Sequence, residues 1–180
     1  MGLIKRLKNP RTDLYKDIKR AIFSVHFPWF NVGKILETYS EEDTNKYALP
    51  SMWSHAVLIR PHPKRSKYPT VNSTYMDGIE KMLDEIFEYN NIDVKCIYRI
   101  NVNLVEPQKG KQLTPPHSDH TWPHNNLIIY LTDAGGETIC EGESFNPKED
   151  DIIIFSGYPQ KHCYKLPKED KRIIIVVTYL

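Results

Sequence analysis

The sequence has few cysteines and no pair of them at metal-binding spacing. Its 180 residues include only Cys96, Cys140 and Cys163. An odd, sparse set argues against a disulfide framework, and the missing Cys-x-x-Cys pair argues against a structural zinc site. Because each cysteine lies in an apolar, strand-like stretch, we expect three small buried side chains in a reducing compartment.

Net charge and long apolar runs are also nearly absent. Lys and Arg total 24 against 23 Asp and Glu, so the global charge does not favour a nucleic acid or an anionic membrane as partner. No apolar run approaches the ~18 residues of a membrane span, and the N-terminus lacks the apolar core of a signal peptide. The basic N-terminal stretch is interrupted by Asp13 and Asp17, which favours a solvated face. We therefore expect a soluble cytoplasmic protein, in the host cytoplasm if a phage encodes it.

The length predicts one domain, residues 1–180, whose character changes near residue 93. In the helical part, 1–92, apolar residues recur at helical spacing after Asn9-Pro10, a candidate N-cap and first helical position. A second helix is predicted after Thr74, which has Asp77 three residues later, and should end near Asn90-Asn91. The Phe27-Pro28-Trp29-Phe30 segment is predicted to fasten the helices onto a sheet.

Short β-branched and aromatic runs dominate the second part, 93–180. Clusters of Gly, Pro, Asn and Asp separate these runs and predict turns. Many short strands at this spacing predict a mainly β sandwich or jelly roll with the N-terminal helices packed on one sheet. The predicted strands are 55–60, which lies in the first part, and 96–104, 126–131, 138–140, 151–155, 162–165 and 172–179.

The residues with the clearest chemistry are His117-Ser118-Asp119 and the later His162 and Arg172. In an extended strand, residues i and i+2 point the same way, so His117 and Asp119 project together. With His162 they form a 2-His-1-carboxylate set, which leaves open metal positions and is typical of non-heme Fe(II) oxygenases. Arg172 begins a later strand and would supply a fixed cation for a co-substrate carboxylate.

Residues from about 96 to 180 resemble the Fe(II)/2-oxoglutarate-dependent oxygenases, in particular their prolyl-hydroxylase-like branch. That branch has a His-x-Asp motif, a strand ending in Tyr-Leu-Asn, a Gly-Gly-Glu turn, an apolar strand, and then a His followed by a basic residue. Thr132 departs from the usual Asn, and the first half resembles small phage and bacterial members that carry a Phe-Pro-Trp segment. The matching elements here are His117-Ser118-Asp119, Tyr130-Leu131-Thr132, Gly135-Gly136-Glu137, residues 151–155, His162 and Arg172.

The resemblance implies a double-stranded β-helix, which is a jelly roll, and a hydroxylase activity. His117, Asp119 and His162 would bind Fe(II), and Arg172 would bind the distal carboxylate of 2-oxoglutarate. Dioxygen would be the oxidant, with ascorbate as an optional reductant. The substrate would be a small molecule or a peptide, such as a peptidyl proline. The oligomeric state is open.

Several residues near this motif allow two interpretations. Lys171 is an alternative cation, but strand alternation places it on the opposite face from Arg172, so we favour Arg172. Arg99, Asn101 and Asn103 share one polar strand face, which either meets water or lines a pocket. In the pocket interpretation Asn103 is the best candidate for contacting 2-oxoglutarate.

The resemblance puts Tyr130 at an inward position, where it either contacts the co-substrate or is an ordinary core tyrosine. The loop 120–124 follows the metal motif directly and should stand at the mouth of the site. There Trp122 either contacts substrate or packs against the rim. His120 is disfavoured as a ligand, because adjacent residues of a strand point to opposite sides. The histidines without metal-ligand spacing are His26, His55 and His62.

Two rival functions on the same fold are considered. A cupin-like metal protein or isomerase usually has a second His where Asp119 stands, together with a Glu ligand. A non-catalytic phage structural or assembly module would have no need of His117, Asp119, His162 and Arg172 together. The sequence therefore favours the oxygenase.

Overall fold

A computed structural model describes residues 2–34 and 40–180 of the chain. The helices are α1 (Asp13–Ile22), α2 (Glu41–Lys46) and α3 (Met76–Tyr89). The strands are β1 (Lys5–Leu7), β2 (Phe30–Lys34), β3 (Ser51–Ile59), β4 (Thr70–Val71), β5 (Ile97–Val105), β6 (Asn125–Tyr130), β7 (Thr138–Cys140), β8 (Glu143–Phe145), β9 (Ile152–Ser156), β10 (His162–Tyr164) and β11 (Arg172–Tyr179).

The strands form two antiparallel sheets. In the large sheet the order is β1-β9-β6-β11-β5-β3-β2, with β4 paired to β3, and in the small sheet it is β10-β7-β8. Isolated bridges from Leu113 to Lys165 and from His117 to His162 add the 113–117 segment beside β10. The predicted jelly roll is confirmed, and four of its strands come from the chain before residue 93.

The two faces of the large sheet bury different clusters, because side chains alternate along each strand. One face, with Ile129 and Ile175, packs against Ile18 of α1 and Leu83 of α3. Fully burying such side chains stabilises the fold by ~1.5–3 kcal/mol each. The opposite face packs against Cys140 of the small sheet and contributes Ile128, Ile153, Ile174 and Val176. The helices therefore lie on one sheet, as predicted, and leave the space between the sheets for a site.

In residues 2–34 and 40–180, no helix has the length and apolar character needed to cross a membrane.

The predicted helix starts were wrong in their details. The N-cap of α1 is Thr12, whose side chain accepts from the Tyr15 N–H at 3.2 Å, whereas Asn9 forms a local turn by accepting from the Arg11 N–H. The helix α3 begins at Met76 without a side-chain cap, so Thr74 and Asp77 form no capping box. Neighbouring Asn, Asp and Thr side chains can each accept a hydrogen bond from a nearby backbone N–H, and the residue types alone do not show which of them caps the helix. The predicted end of α3 is confirmed, since Asn90 is its C-cap.

Cys96 and Phe30 were also misjudged. Cys96 precedes β5 and is exposed, whereas Cys140 and Cys163 are buried as expected, and all three are free thiols. Phe27 and Trp29 do pack against the helical part of the chain. The ring centroid of Phe27 lies 4.9 Å from that of Trp29 and 5.1 Å from that of Tyr75, which precedes α3. Phe30 instead lies on β2, at the edge of the sheet, with 59% of its surface exposed.

Candidate active site

A cavity of about 620 Å³ lies on the inner face of the large sheet. Register explains its polar wall: β5 pairs with β11 so that Asn103 lies beside Ile174 and Asn101 beside Val176. Arg99 follows the same alternation, and all five side chains line the cavity. The polar face of β5 therefore meets this cavity, which is the pocket interpretation of its alternating pattern.

The structure brings His117, Asp119 and His162 to one part of the cavity wall. Reciprocal backbone hydrogen bonds of 2.9 Å join His117 to His162, and their ring centroids are 4.5 Å apart. The His162 Nε2 atom lies 3.6 Å from the Asp119 Oδ2 atom. Residues far apart in sequence thus meet because the 113–117 segment pairs with β10.

Two of these three side chains are already placed to bind a divalent metal. Asp119 Oδ2 is buried without a hydrogen-bond partner in the described chain. Two donors bound to one metal at ~2.1 Å each cannot be more than ~4.2 Å apart, so the 3.6 Å separation suits a shared ion. The His117 Nδ1 atom instead faces the Pro115 carbonyl at 3.1 Å, and the described residues contain no group of three side chains already arranged around one metal position. Asp119 and His162 are therefore preformed as a pair, with His117 beside them.

The electrostatics of the pair favour the forms that bind metals. Burial tends to raise the pKa of the Asp119 carboxyl, but the Arg99 guanidinium and the nearby imidazoles hold that pKa well below its usual range. Burial lowers the pKa of His162 to about 3, although Asp119 opposes that shift. The carboxyl is thus ionised and the imidazole neutral, as metal ligands must be.

Two arginines bind Asp119, one at its side chain and the other at its backbone, and the sequence pointed to only one of them. Arg99 Nη1 donates to Asp119 Oδ1 at 2.8 Å, which leaves Oδ2 for a ligand. Arg60 Nη1 donates to the Asp119 carbonyl oxygen at 2.6 Å. Burial, followed by repulsion from Arg99, lowers the pKa of Arg60. Arg99 was visible as part of the polar face of β5, whereas Arg60 follows the end of β3 and gave no signal.

Arg172 is buried in the cavity wall without a counter-ion. Its side chain donates from Nη2 to Thr138 Oγ1 at 3.2 Å, and its guanidinium carbon lies 4.6 Å from the Tyr164 ring centroid. The residue is 2% exposed, and within the described chain its Nε has no hydrogen-bond partner and no carboxylate forms an ion pair with it. A buried unpaired charge is costly, so this position calls for an anionic ligand.

Tyr130 and Gly136 shape the surroundings of Arg172. Tyr130 is buried, its hydroxyl lies 2.7 Å from Thr138 Oγ1, and its ring centroid lies 5.4 Å from the Arg172 guanidinium. Gly136 has a φ of +81°, and a Cβ there would stand 2.9 Å from both Arg172 Cδ and the Lys165 carbonyl oxygen. The second glycine of the Gly-Gly-Glu turn therefore admits the Arg172 side chain.

Two asparagines complete the polar wall. Asn103 lines the cavity and accepts a 2.8 Å hydrogen bond from Ser54 Oγ. Asn126 also lines it, and both of its side-chain polar atoms are buried without a partner in the described residues. Asn126 was missed because it begins an apolar strand. Its signal was a polar residue two positions before inward-facing Ile128.

Trp122 packs against His120 and is not one of the residues that line the cavity. Its ring stacks on His120 with centroids 4.5 Å apart and an interplanar angle of 15°. His120 Nε2 in turn lies 2.8 Å from Thr178 Oγ1, which fixes His120 away from the Asp119–His162 pair. Lys171 points elsewhere, 3.9 Å from Glu106. Contact between Trp122 and substrate stays a prediction.

Comparisons with known proteins yield structural likeness only. The sequence matches no protein-family model, and no curated protein matches it significantly. A 2OG-Fe(II) oxygenase family oxidoreductase from Burkholderia pseudomallei superimposes with a TM-score of 0.64 at 14% identity, over 92% of this chain and 76% of that one. A prolyl hydroxylase from Trichoplax adhaerens, in complex with a hypoxia-inducible-factor peptide, gives 0.61 at 13% identity, over 100% and 84%.

A third solved structure is SnoN, a non-heme α-ketoglutarate-dependent epimerase of nogalamycin biosynthesis. Its TM-score is 0.58 at 11% identity, over 99% of this chain and 77% of that one. The three structures cover nearly all of the chain, including its helical part. At identities this low, structural similarity establishes the fold only, and the chemistry has to be argued from the site residues. The chain has the fold that these three proteins share.

Proposed function

We propose that the protein is an Fe(II)- and 2-oxoglutarate-dependent dioxygenase that oxidises a small molecule or a peptide. One observation carries this proposal: a buried guanidinium without a counter-ion shares a cavity with a buried carboxylate and a buried imidazole, whose Asp119 Oδ2 and His162 Nε2 atoms lie 3.6 Å apart. The first element calls for an anion and the second for a cation. A divalent metal together with a diacid that chelates it, such as 2-oxoglutarate, would meet both requirements.

The chain's residues have separate tasks in this proposal. Asp119 and His162, joined by His117, would hold the metal, and Arg99 positions the carboxylate by binding Oδ1, which leaves Oδ2 available as a ligand. Arg172 grips the distal carboxylate through its planar fork. Iron with 2-oxoglutarate and dioxygen supplies the oxidation of a substrate C–H bond.

The cavity's apolar wall limits the access of water to this chemistry. Ile128, Ile174 and Val176 line the cavity between its polar groups. Side chains of this kind keep bulk water from the reacting atoms.

Hydroxylation is the outcome we propose, with a peptide or a small molecule as the acceptor. The prolyl hydroxylase with this fold is in complex with a peptide, and SnoN, which also has this fold, is an epimerase of nogalamycin biosynthesis. The fold therefore occurs in enzymes that act on different kinds of molecule. Asp119 supports an oxygenase over a cupin-like protein, because its carboxylate stands where a cupin usually has a second imidazole. The ion pair between Arg99 and Asp119 also argues against a relic site in a structural module, since it holds the carboxylate in place.

Visible spectroscopy under anaerobic conditions tests the proposal. Adding Fe(II) and 2-oxoglutarate together should give the charge-transfer band of a chelated keto acid. Neither component alone should give it, and Zn(II) in place of Fe(II) serves as the matched control. Admitting oxygen should then release succinate. No band at saturating concentrations of both components would refute the assignment.

Trp122→Ala separates substrate recognition from the metal chemistry. We expect it to weaken substrate-stimulated turnover, because loops around a site's opening tend to carry recognition and aromatic side chains dominate it. The slow conversion of 2-oxoglutarate to succinate without substrate should stay nearly unchanged. Succinate release with and without substrate measures both. If the two rates fall together, Trp122 supports the site through its stacking on His120.

A further inference from the structure

The loop between β3 and β4, residues 60–69, is a basic segment at the cavity. Residues 44–76 contain no Asp or Glu, and the loop carries Arg60, Lys64, Arg65 and Lys67. Backbone hydrogen bonds from His62 N to Ser66 O at 2.7 Å and from Arg65 N to His62 O at 3.0 Å close a tight turn. This turn leaves Arg60 and Arg65 lining the cavity, whereas Lys64 and Lys67 do not.

Positive charge on this side of the cavity exceeds the available negative charge. Arg60, Arg65 and Arg99 line it, and the carboxylate paired with them is Asp119, which binds Arg99. In the described chain, the arginines in ion pairs are Arg6, Arg11, Arg20 and Arg99. Arg60 and Arg65 therefore have no carboxylate partner there. A divalent metal at Asp119 would add further positive charge.

The backbones of Arg172 and Arg99 lie at opposite ends of the β5–β11 pair. Along the β5–β11 pair, Arg172 stands opposite Val105, and Arg99 stands opposite Thr178, six residues further along β11. At ~3.4 Å per residue the two ends are separated by ~20 Å. In the proposed function a diacid would extend from Arg172 to the metal beside Asp119, so both of its carboxylates are already engaged. The anion expected at Arg172 thus leaves Arg60 and Arg65 unneutralised.

We propose that Arg60 and Arg65 bind an anionic group of the substrate, a carboxylate or a phosphate. Guanidinium groups match both geometrically, through paired N–H donors. The group would dock at the loop and direct the rest of the substrate toward Asp119 and His162. Calling this anion the substrate's rests on the proposed function, whereas the binding site itself does not. The substrate class is therefore an acid or a phosphorylated compound.

Calorimetric titration with benzoate and phenyl phosphate tests the site, with benzamide as the neutral control. Each probe is titrated into the full chain without metal or 2-oxoglutarate, and again with saturating Zn(II) and 2-oxoglutarate. We expect at least one anionic probe to bind in both states and benzamide not to bind. The stronger probe identifies carboxylate or phosphate as the preferred group. Because binding without iron is measured, failure here is distinguishable from failure of the charge-transfer test.

Matched variants assign the binding to the two arginines. Arg60→Gln combined with Arg65→Gln should raise the dissociation constant at least ~10-fold, as expected for losing charge-assisted hydrogen bonds. Lys64→Gln combined with Lys67→Gln removes the same charge from the same loop and should change the dissociation constant less than ~2-fold, because neither lysine lines the cavity. Because all four side chains are exposed, neither double variant should disturb folding. An unchanged midpoint of thermal unfolding checks this.

Three results would overturn the proposal. The first is that neither anionic probe binds better than benzamide. The second is an equal loss in both double variants, which would indicate a diffuse positive surface of the kind that meets a polyanion. The third is loss of probe binding in Arg172→Gln with none in the Arg60 and Arg65 variant, which would place the anion at the other end of the cavity.

Discussion

Replacing Asp119 with alanine is expected to abolish iron-dependent turnover of 2-oxoglutarate. The change removes one of the two donor atoms that already face each other, Asp119 Oδ2 and His162 Nε2. Loss of an outer-shell partner alone weakens metal sites ~10–100-fold, so loss of a ligand should lower iron affinity more than ~100-fold. The change also leaves the mostly buried Arg99 without its ion-pair partner.

Anaerobic Fe(II) binding and succinate release measure this prediction. Asp119→Asn is the companion variant, because it keeps the side-chain shape and still meets Arg99 with a carbonyl oxygen. Asp133→Ala is the matched control, since that carboxylate is exposed and lies 3.5 Å from Lys148, outside the cavity wall. Unchanged iron affinity in folded Asp119→Ala would show that the carboxylate is not a ligand.

Strand alternation explains why much of this site was predictable from sequence. Arg172 begins β11, a long apolar strand, so the face of its side chain follows from a period of two. The same period placed Arg99, Asn101 and Asn103 on one face. His117 and Asp119 lie outside the strands, His117 at an isolated bridge, so alternation does not explain their placement. His162 was assigned from the order of the motifs along the chain. The structure explains its position by the bridge that pairs His117 with His162.

Contacts that depend on tertiary structure were not predictable. Arg60 meets Asp119 because the end of β3 passes the metal motif, and no local pattern encodes that distance. Asn126 looked like the start of an apolar strand, although it lines the cavity. The predicted N-cap of α1 was wrong for a different reason. Asn9 and Thr12 each accept a local backbone N–H, from Arg11 and from Tyr15, and both residue types favour such bonds, so residue type alone does not show which one begins the helix.

Arg172→Gln is expected to raise the concentration of 2-oxoglutarate needed for half-maximal turnover far more than it alters iron binding. The guanidinium is buried, so its charge-assisted pair with a carboxylate forms where water competes little. Truncating one partner of a buried charge pair costs on the order of 2–5 kcal/mol, which corresponds to at least ~30-fold in concentration. Iron affinity should change little, because Arg172 lies at the opposite end of the β5–β11 pair from Arg99, which binds Asp119.

The neighbouring Lys171→Gln removes the same charge from an exposed side chain and serves as the control. It should leave the requirement for 2-oxoglutarate unchanged, because Lys171 points toward Glu106. Thermal unfolding without ligands adds a second readout. Removing a buried cation that has no counter-ion should leave stability equal or higher, since replacing buried charge with neutral groups is often neutral or stabilising. If Lys171→Gln has a large effect and Arg172→Gln has none, Arg172 is not the residue that binds the co-substrate. If Arg172→Gln does not fold, Arg172 is a structural residue that packs against Tyr130 and Tyr164.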